Sequence, residues 1–264
     1  MAYDFAHGSG TEADPYQIWN QADLEGIGQD NSEGQPNYFG NNFKQMADLA
    51  LVDYDCDSLV MVNCTYDGDN HKVSGLEDFF FSQQIGGVVE NLVFVSPSIS
   101  KPSEDYVGVI GFADQYSGNP ATLSNIVVRG AIVSGKDYVG AIVGYAYMAD
   151  ISDCLALGVR ISGASYVGGL VGMIDECELL RCIAHGEVDA SAAYSHAGGL
   201  VGLMTDSSAD ICGADADVTG EQYCGGFTGY GYNMEIDDCF ALGDVTGSDY
   251  VGGFSGYLRE QEMA

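Results

Sequence analysis

Apolar residues along this chain come in runs of three to five, broken by Gly, Ser, Asp and Asn, too short for helices of about ten residues. The exception is Trp19-Asn20-Gln21-Ala22-Asp23-Leu24-Glu25-Gly26-Ile27, which reads as the one helix. Asn20 is its N-cap, and Asp23 and Glu25 lie near the positive end of its dipole. Further on, one phrase recurs as Tyr106-Val107-Gly108, Tyr138-Val139-Gly140, Tyr166-Val167-Gly168, His196-Ala197-Gly198, Tyr223-Cys224-Gly225 and Tyr250-Val251-Gly252, in steps of 32, 28, 30, 27 and 27 residues. A second phrase precedes it: Cys154 to Gly158, Cys182 to Gly186 and Cys239 to Gly243, with Ile126 to Gly130 as an earlier copy and Cys212 to Ala216 as a degenerate one.

A unit of that length with three short apolar segments fits one turn of a β-helix, whose coils stack about 4.8 Å apart. The expected fold is all-β: a right-handed parallel β-helix (solenoid) with a short N-terminal capping helix. Residues 1–91 would form the cap and first coils, with early strands at 15–19, 43–52 and 59–65, and residues 92–264 the repeats of one continuous domain. Gly-Gly-Leu-Val-Gly, as in Gly168 to Gly172 and Gly198 to Gly202, suits a corner needing φ > 0 or close backbone approach. Leu258-Arg259-Glu260 follows the last motif without an evident second cap, so that end is expected to continue in a longer polypeptide or to self-associate.

Composition changes the picture of partners. There are 39 Asp and Glu against 8 Lys and Arg, a net charge of −31, which leaves no basic footprint for nucleic acid or for an anionic membrane surface. No run of about 18 apolar residues predicts membrane insertion. Met1-Ala2-Tyr3-Asp4 lacks the basic and apolar regions of a signal peptide, so the start reads as an addition ahead of a mature or internal segment. With 46% hydrophobic residues the acid is a surface property of a folded chain.

Gly8 to Ile18, Phe43 to Leu51, Tyr66 to Leu76 and the Gly-Gly-Leu-Val-Gly repeats together resemble the GLUG-motif proteins, bacterial and archaeal secreted or surface chains. The resemblance covers nearly the whole sequence and implies a β-helix, an adhesin-like role and an extracellular or cell-surface location. It carries no catalytic residues to transfer, and this chain departs from the pattern in its cysteines and its charge.

Candidate sites are few. Cys154, Cys182, Cys212 and Cys239 follow Leu92 and Ile126 in one inward column and read as a core thiol ladder; neighbours on adjacent coils, Cys154 with Cys182 or Cys212 with Cys239, lie within reach of a bridge, and Cys56 with Cys64 makes a better pair. Tyr106, Tyr138, Tyr166, Tyr223 and Tyr250, interrupted by His196, form an aromatic column that could offer a stacking platform for sugars. Asp53, Asp55 and Asp57, or Asp67 and Asp69, are candidates for weak calcium binding, the only cofactor suggested; Ser58 and Cys64 stand where an EF-hand needs Gly and Glu. Arg129, Lys136, Arg160 and Arg181 occupy different repeat positions and no nucleophile motif stands out, so no catalytic residues and no enzyme are expected. The reading is a non-catalytic adhesion or binding module whose partner is a surface glycan or protein, or a second copy through the C-terminal end. A polysaccharide lyase or hydrolase is the alternative, and a cleft of acids beside one Arg or Lys would favour it.

Overall fold

The computed structural model describes residues 5–27, 38–54 and 59–260. It is a parallel β-solenoid of about eight turns. Among the described residues two sheets run along the rod, a long one of 18 strands and a second of 8 from Val60–Val62 to Ser255–Arg259, and a short third of 5, from Asp137–Val139 to Asp249–Gly252, covers the later coils. Every strand pair in them is parallel, and each coil hydrogen-bonds to the coils before and after it. Strand Gly87–Val95 spans the 91/92 boundary expected from sequence, so the coils continue across it.

The single helix of the described residues, Gln21–Ile27, packs on the first coil and buries Leu24 and Ile27. Its N-cap is the one expected. Asn20 Oδ1 accepts from the Asp23 amide at 3.1 Å, while Asp23 Oδ2 reaches back to the Trp19 amide at 3.0 Å, so two amides without helical partners are satisfied reciprocally.

Alternation within the strands fills the interior. In the long sheet Phe94, Val128, Ala156, Ala184, Ala214 and Ala241 stand in register, shrinking from Phe to Ala along the rod. The shrinkage lets the opposite wall approach. A β-carbon on Gly169 would lie 2.9 Å from the Ala184 β-carbon and 2.2 Å from Gly199 O, and Gly199 and Gly226 meet Ala214 and Ala241 in the same way. Close approach therefore requires glycine at 169, 199 and 226, the second of each inner Gly-Gly phrase, whereas Gly253 in the last coil has open space around it. The positive φ expected of those glycines belongs elsewhere: Tyr106, Tyr138, Tyr166, Tyr223 and Tyr250 hold φ between 50° and 61°. His196 does not share that conformation.

The cysteine ladder is a core ladder. Cys154, Cys182 and Cys212 are fully buried and Cys239 partly so; all four are free thiols, and none of the bridges considered among them forms. Their amides and sulfurs link successive coils, as where the Cys182 N–H donates to Cys212 Sγ at 3.3 Å. Burial pushes Cys239 and Cys224 up to about 11, so these thiols stay protonated and unreactive at neutral pH. Cys64 is also free, donating to Tyr38 O at 2.8 Å, and Cys56 lies outside the described residues. In the last coil Phe240, Leu242, Val251 and Leu258 are exposed. Among the described residues no helix is long and apolar enough to cross a membrane.

Candidate functional site

Two faces of the rod bring chemistry together. The first follows the corner occupied by the tyrosines. Successive rings Tyr138, Tyr166, His196, Tyr223 and Tyr250 stack with centroids 4.7 to 5.0 Å apart and planes within 16° of each other, and Tyr106 joins at 5.0 Å and 20°. Beside them runs an in-register column of the 8-stranded sheet: Phe112, Tyr145, Met173, Leu203, Tyr230 and Tyr257. The two columns touch, as where Tyr138 and Tyr145 lie 5.8 Å apart and Tyr223 meets Tyr230 edge to face at 5.5 Å. Every residue of this double column is half-buried or exposed, giving an aromatic and apolar strip six coils long.

The stack changes what the platform can do. A sugar packs on an open ring face, but in this ladder each inner ring has both faces covered by its neighbours. What it presents along its length is ring edges. Burial also sets its electrostatics. His196 is held down to about 4, and its Nδ1 is buried without a hydrogen-bond partner, so the imidazole is neutral and acts as one more ring in the stack. Tyr145 is pushed well above the ordinary phenol range, by burial first and by Asp175 second.

The second face is a groove of about 460 Å³ on the long sheet, where its strands bend at Gly130, Gly158 and Gly186. Arg160, His185, Glu187, Asp215 and Asp217 line it. Arg160 Nε lies 3.4 Å from Glu187 Oε2, and His185 Nε2 lies 4.0 Å from Asp215 Oδ2. All five side chains are open to solvent. This convergence was hidden in the sequence. Counted from the bend glycines, Arg160 and Glu187 occupy different places, but the pairing shifts register between Leu157 and Val159 and brings them opposite each other.

The acids considered for calcium are engaged otherwise. Asp67 and Asp69 converge on Lys44 Nζ at 3.6 and 3.3 Å, and Asp67 also accepts from Asn91 Nδ2 at 2.9 Å. Asp53 is exposed, with φ of 50°, whereas Asp55 and Asp57 lie outside the described residues. Among the described residues no group of three or more His, Cys, Asp or Glu is placed to hold a metal.

No family model and no curated protein sequence matches this chain. Solved structures do. A Bacteroides ovatus protein provisionally named an immunoglobulin A1 protease matches with a TM-score of 0.69 at 19% identity, over 98% of this chain and 87% of its own. A structure named IgA1 protease matches with a TM-score of 0.64 at 16% identity over 94% of this chain, which spans 20% of that longer protein. At such identities the shared property is the fold. The expectation that this chain is no enzyme is corrected on that ground: both matched solenoids carry a protease's name, and the groove gathers acids beside an arginine that the repeat positions had scattered.

Proposed function

We propose that the chain is an extracellular or cell-surface recognition module, adhesin-like as its resemblance to GLUG-motif proteins implies, which holds an extended polymer along its aromatic face. One observation carries this reading. Five tyrosines adopt the left-handed conformation, a backbone region that costs a bulky residue roughly 1–2 kcal/mol each, and their rings stay partly exposed in a row that His196 completes. Gly or Asn would turn the same corner at lower cost. The rings also stack on one another and on the neighbouring column, and the continuous solvent-facing strip they build supports a binding surface.

The test is capture of the protein on immobilised glycans and extended peptides, comparing wild type with Tyr138→Ala and Glu187→Gln, each confirmed folded by circular dichroism. Loss of about tenfold or more in affinity for Tyr138→Ala alone is the expected result. Loss confined to Glu187→Gln would move recognition to the groove.

A second reading rests on the groove. Glu187 and Asp217 stand in register on adjacent coils and both line the groove, so two carboxylates share one face there, the pairing that glycoside hydrolysis uses. His185 and Arg160 beside them complete a set suited to a polysaccharide lyase or hydrolase, and the names of the fold neighbours add peptide cleavage to what is assayed. Release of reducing ends or cut peptides by wild type and not by Glu187→Gln would establish it.

A further inference from the structure

Resting on the reading of the aromatic face as a recognition surface, we infer that its ligand is a basic polypeptide segment in the polyproline II conformation, lying parallel to the rod axis. Three observations lead there. The first is the closed stack: with rings 4.7 to 5.0 Å apart, the ladder has no room for a sugar or any other flat group between them. A ligand must lie across ring edges and the apolar column alongside.

The second is the period. Coils repeat every 4.8 Å or so, and two coils span about 9.6 Å, while a polyproline II helix rises about 9.3 Å in its three-residue turn. Residues i and i+3 of such a ligand therefore fall on every second coil, as at Tyr106, Tyr166 and Tyr223. The mismatch is only a few tenths of an ångström per turn. A β-strand places same-facing side chains about 6.7 Å apart and slips by about 2 Å against every coil. Proline-rich segments also arrive ordered, so docking them along a groove loses little conformational entropy.

The third is charge. Asp105, Asp137 and Asp249 each immediately precede a ladder tyrosine, and Asp114 and Asp175 follow the second column on the other side. The one lysine on that flank, Lys136, is already held by Asp105 at 3.0 Å and Asp137 at 3.3 Å. Asp175 is raised above its ordinary value, first by burial and then by the negative charges of Glu176 and Asp206 nearby. Arginine or lysine on the ligand would relieve that crowding by pairing with these carboxylates, while its apolar stem lies along the strip. A second copy of this chain is disfavoured as the occupant, because it would bring a net charge of −31 against −31.

The probe is a fluorescent (Pro-Pro-Arg)₃ peptide, about 28 Å long when extended and so able to cover the strip. It is compared by anisotropy with (Gly-Ser-Arg)₃, (Pro-Pro-Glu)₃ and a neutral β-linked oligosaccharide. We expect (Pro-Pro-Arg)₃ to bind about tenfold or more tightly than (Gly-Ser-Arg)₃, (Pro-Pro-Glu)₃ not to bind, and affinity to fall about tenfold in Tyr166→Ala. Asp137→Asn weakens binding without touching a ring, and Tyr166→Phe retains it, so a Tyr166→Ala protein that failed to fold would leave the test intact. Equal binding of the two arginine peptides would overturn the conformational claim. Capture of the oligosaccharide with the peptides ignored would overturn the ligand class and leave the recognition reading standing. Binding of any probe that ring variants leave unchanged would overturn both.

Discussion

His196 is the one member of the ring ladder whose charge can change under mild conditions. It lies 4.7 Å from Tyr166 and 4.9 Å from Tyr223, and burial holds its imidazole down to about 4. Unfolded, the same group titrates near its ordinary 6.5. A folded-state pKa below the unfolded one means that the unfolded chain takes up the proton first. The stability this residue allows is therefore complete above about pH 6.5 and drains as pH falls toward 4. His196→Phe keeps a ring in the stack and removes the titration. Melting temperatures of wild type and variant should agree at pH 7.5 and separate at pH 4.5, with the variant higher; parallel curves across that range would show that the imidazole is not buried as described. At other corners strain is handled differently. Asn91 and Asn125, also at positive φ, join side chains at 2.8 Å, so a left-handed residue here is stabilised by its counterpart on the next coil.

Glycines within the coil serve two unlike purposes, and substitution separates them. At Gly199 a β-carbon would meet Gly226 O at 2.1 Å, with backbone on one side and the Ala214 methyl on the other. Gly199→Ala should lose about 1–3 kcal/mol in urea titration, the range for overpacking a core. Gly158 has open space around it and only its φ of 65° to satisfy. Gly158→Asn should lose well under about 1 kcal/mol, because Asn tolerates that region. Equal losses would mean that the sheets do not approach as closely as the alanine column implies. The same contrast shows what could be read from the chain alone. Coil length, the inward cysteines and the N-cap at Asn20 follow from local pattern, since each is fixed by neighbours in sequence. The tyrosine backbone and the groove do not. The first needs the path of the corner, and the second needs the register between Leu155–Gly163 and Ile183–Ala190, which one unpaired residue displaces.

At the scale of the whole rod, a charge of −31 is spread over about eight coils, so like charges on neighbouring coils repel along the entire length. Screening shortens that reach to about 10 Å at 0.1 M salt, and the melting temperature should climb with sodium chloride and climb further with magnesium. Calcium should match magnesium if the ions act by screening, whereas a calcium-specific rise would reveal an ordered acid site such as the one first sought around Asp53 or Asp67. Stacking also sets how the molecule responds to force. Strand pairing joins each coil to the one before and the one after, so tension applied at an end peels the rod one coil at a time. Removing a coil shortens the rod by about 4.8 Å but frees close to 30 residues, on the order of 100 Å of extensible chain. Wherever the protein is tethered at one end and loaded at the other, it would act as a reel, lengthening about twentyfold for each turn it gives up while the remaining turns keep their shape.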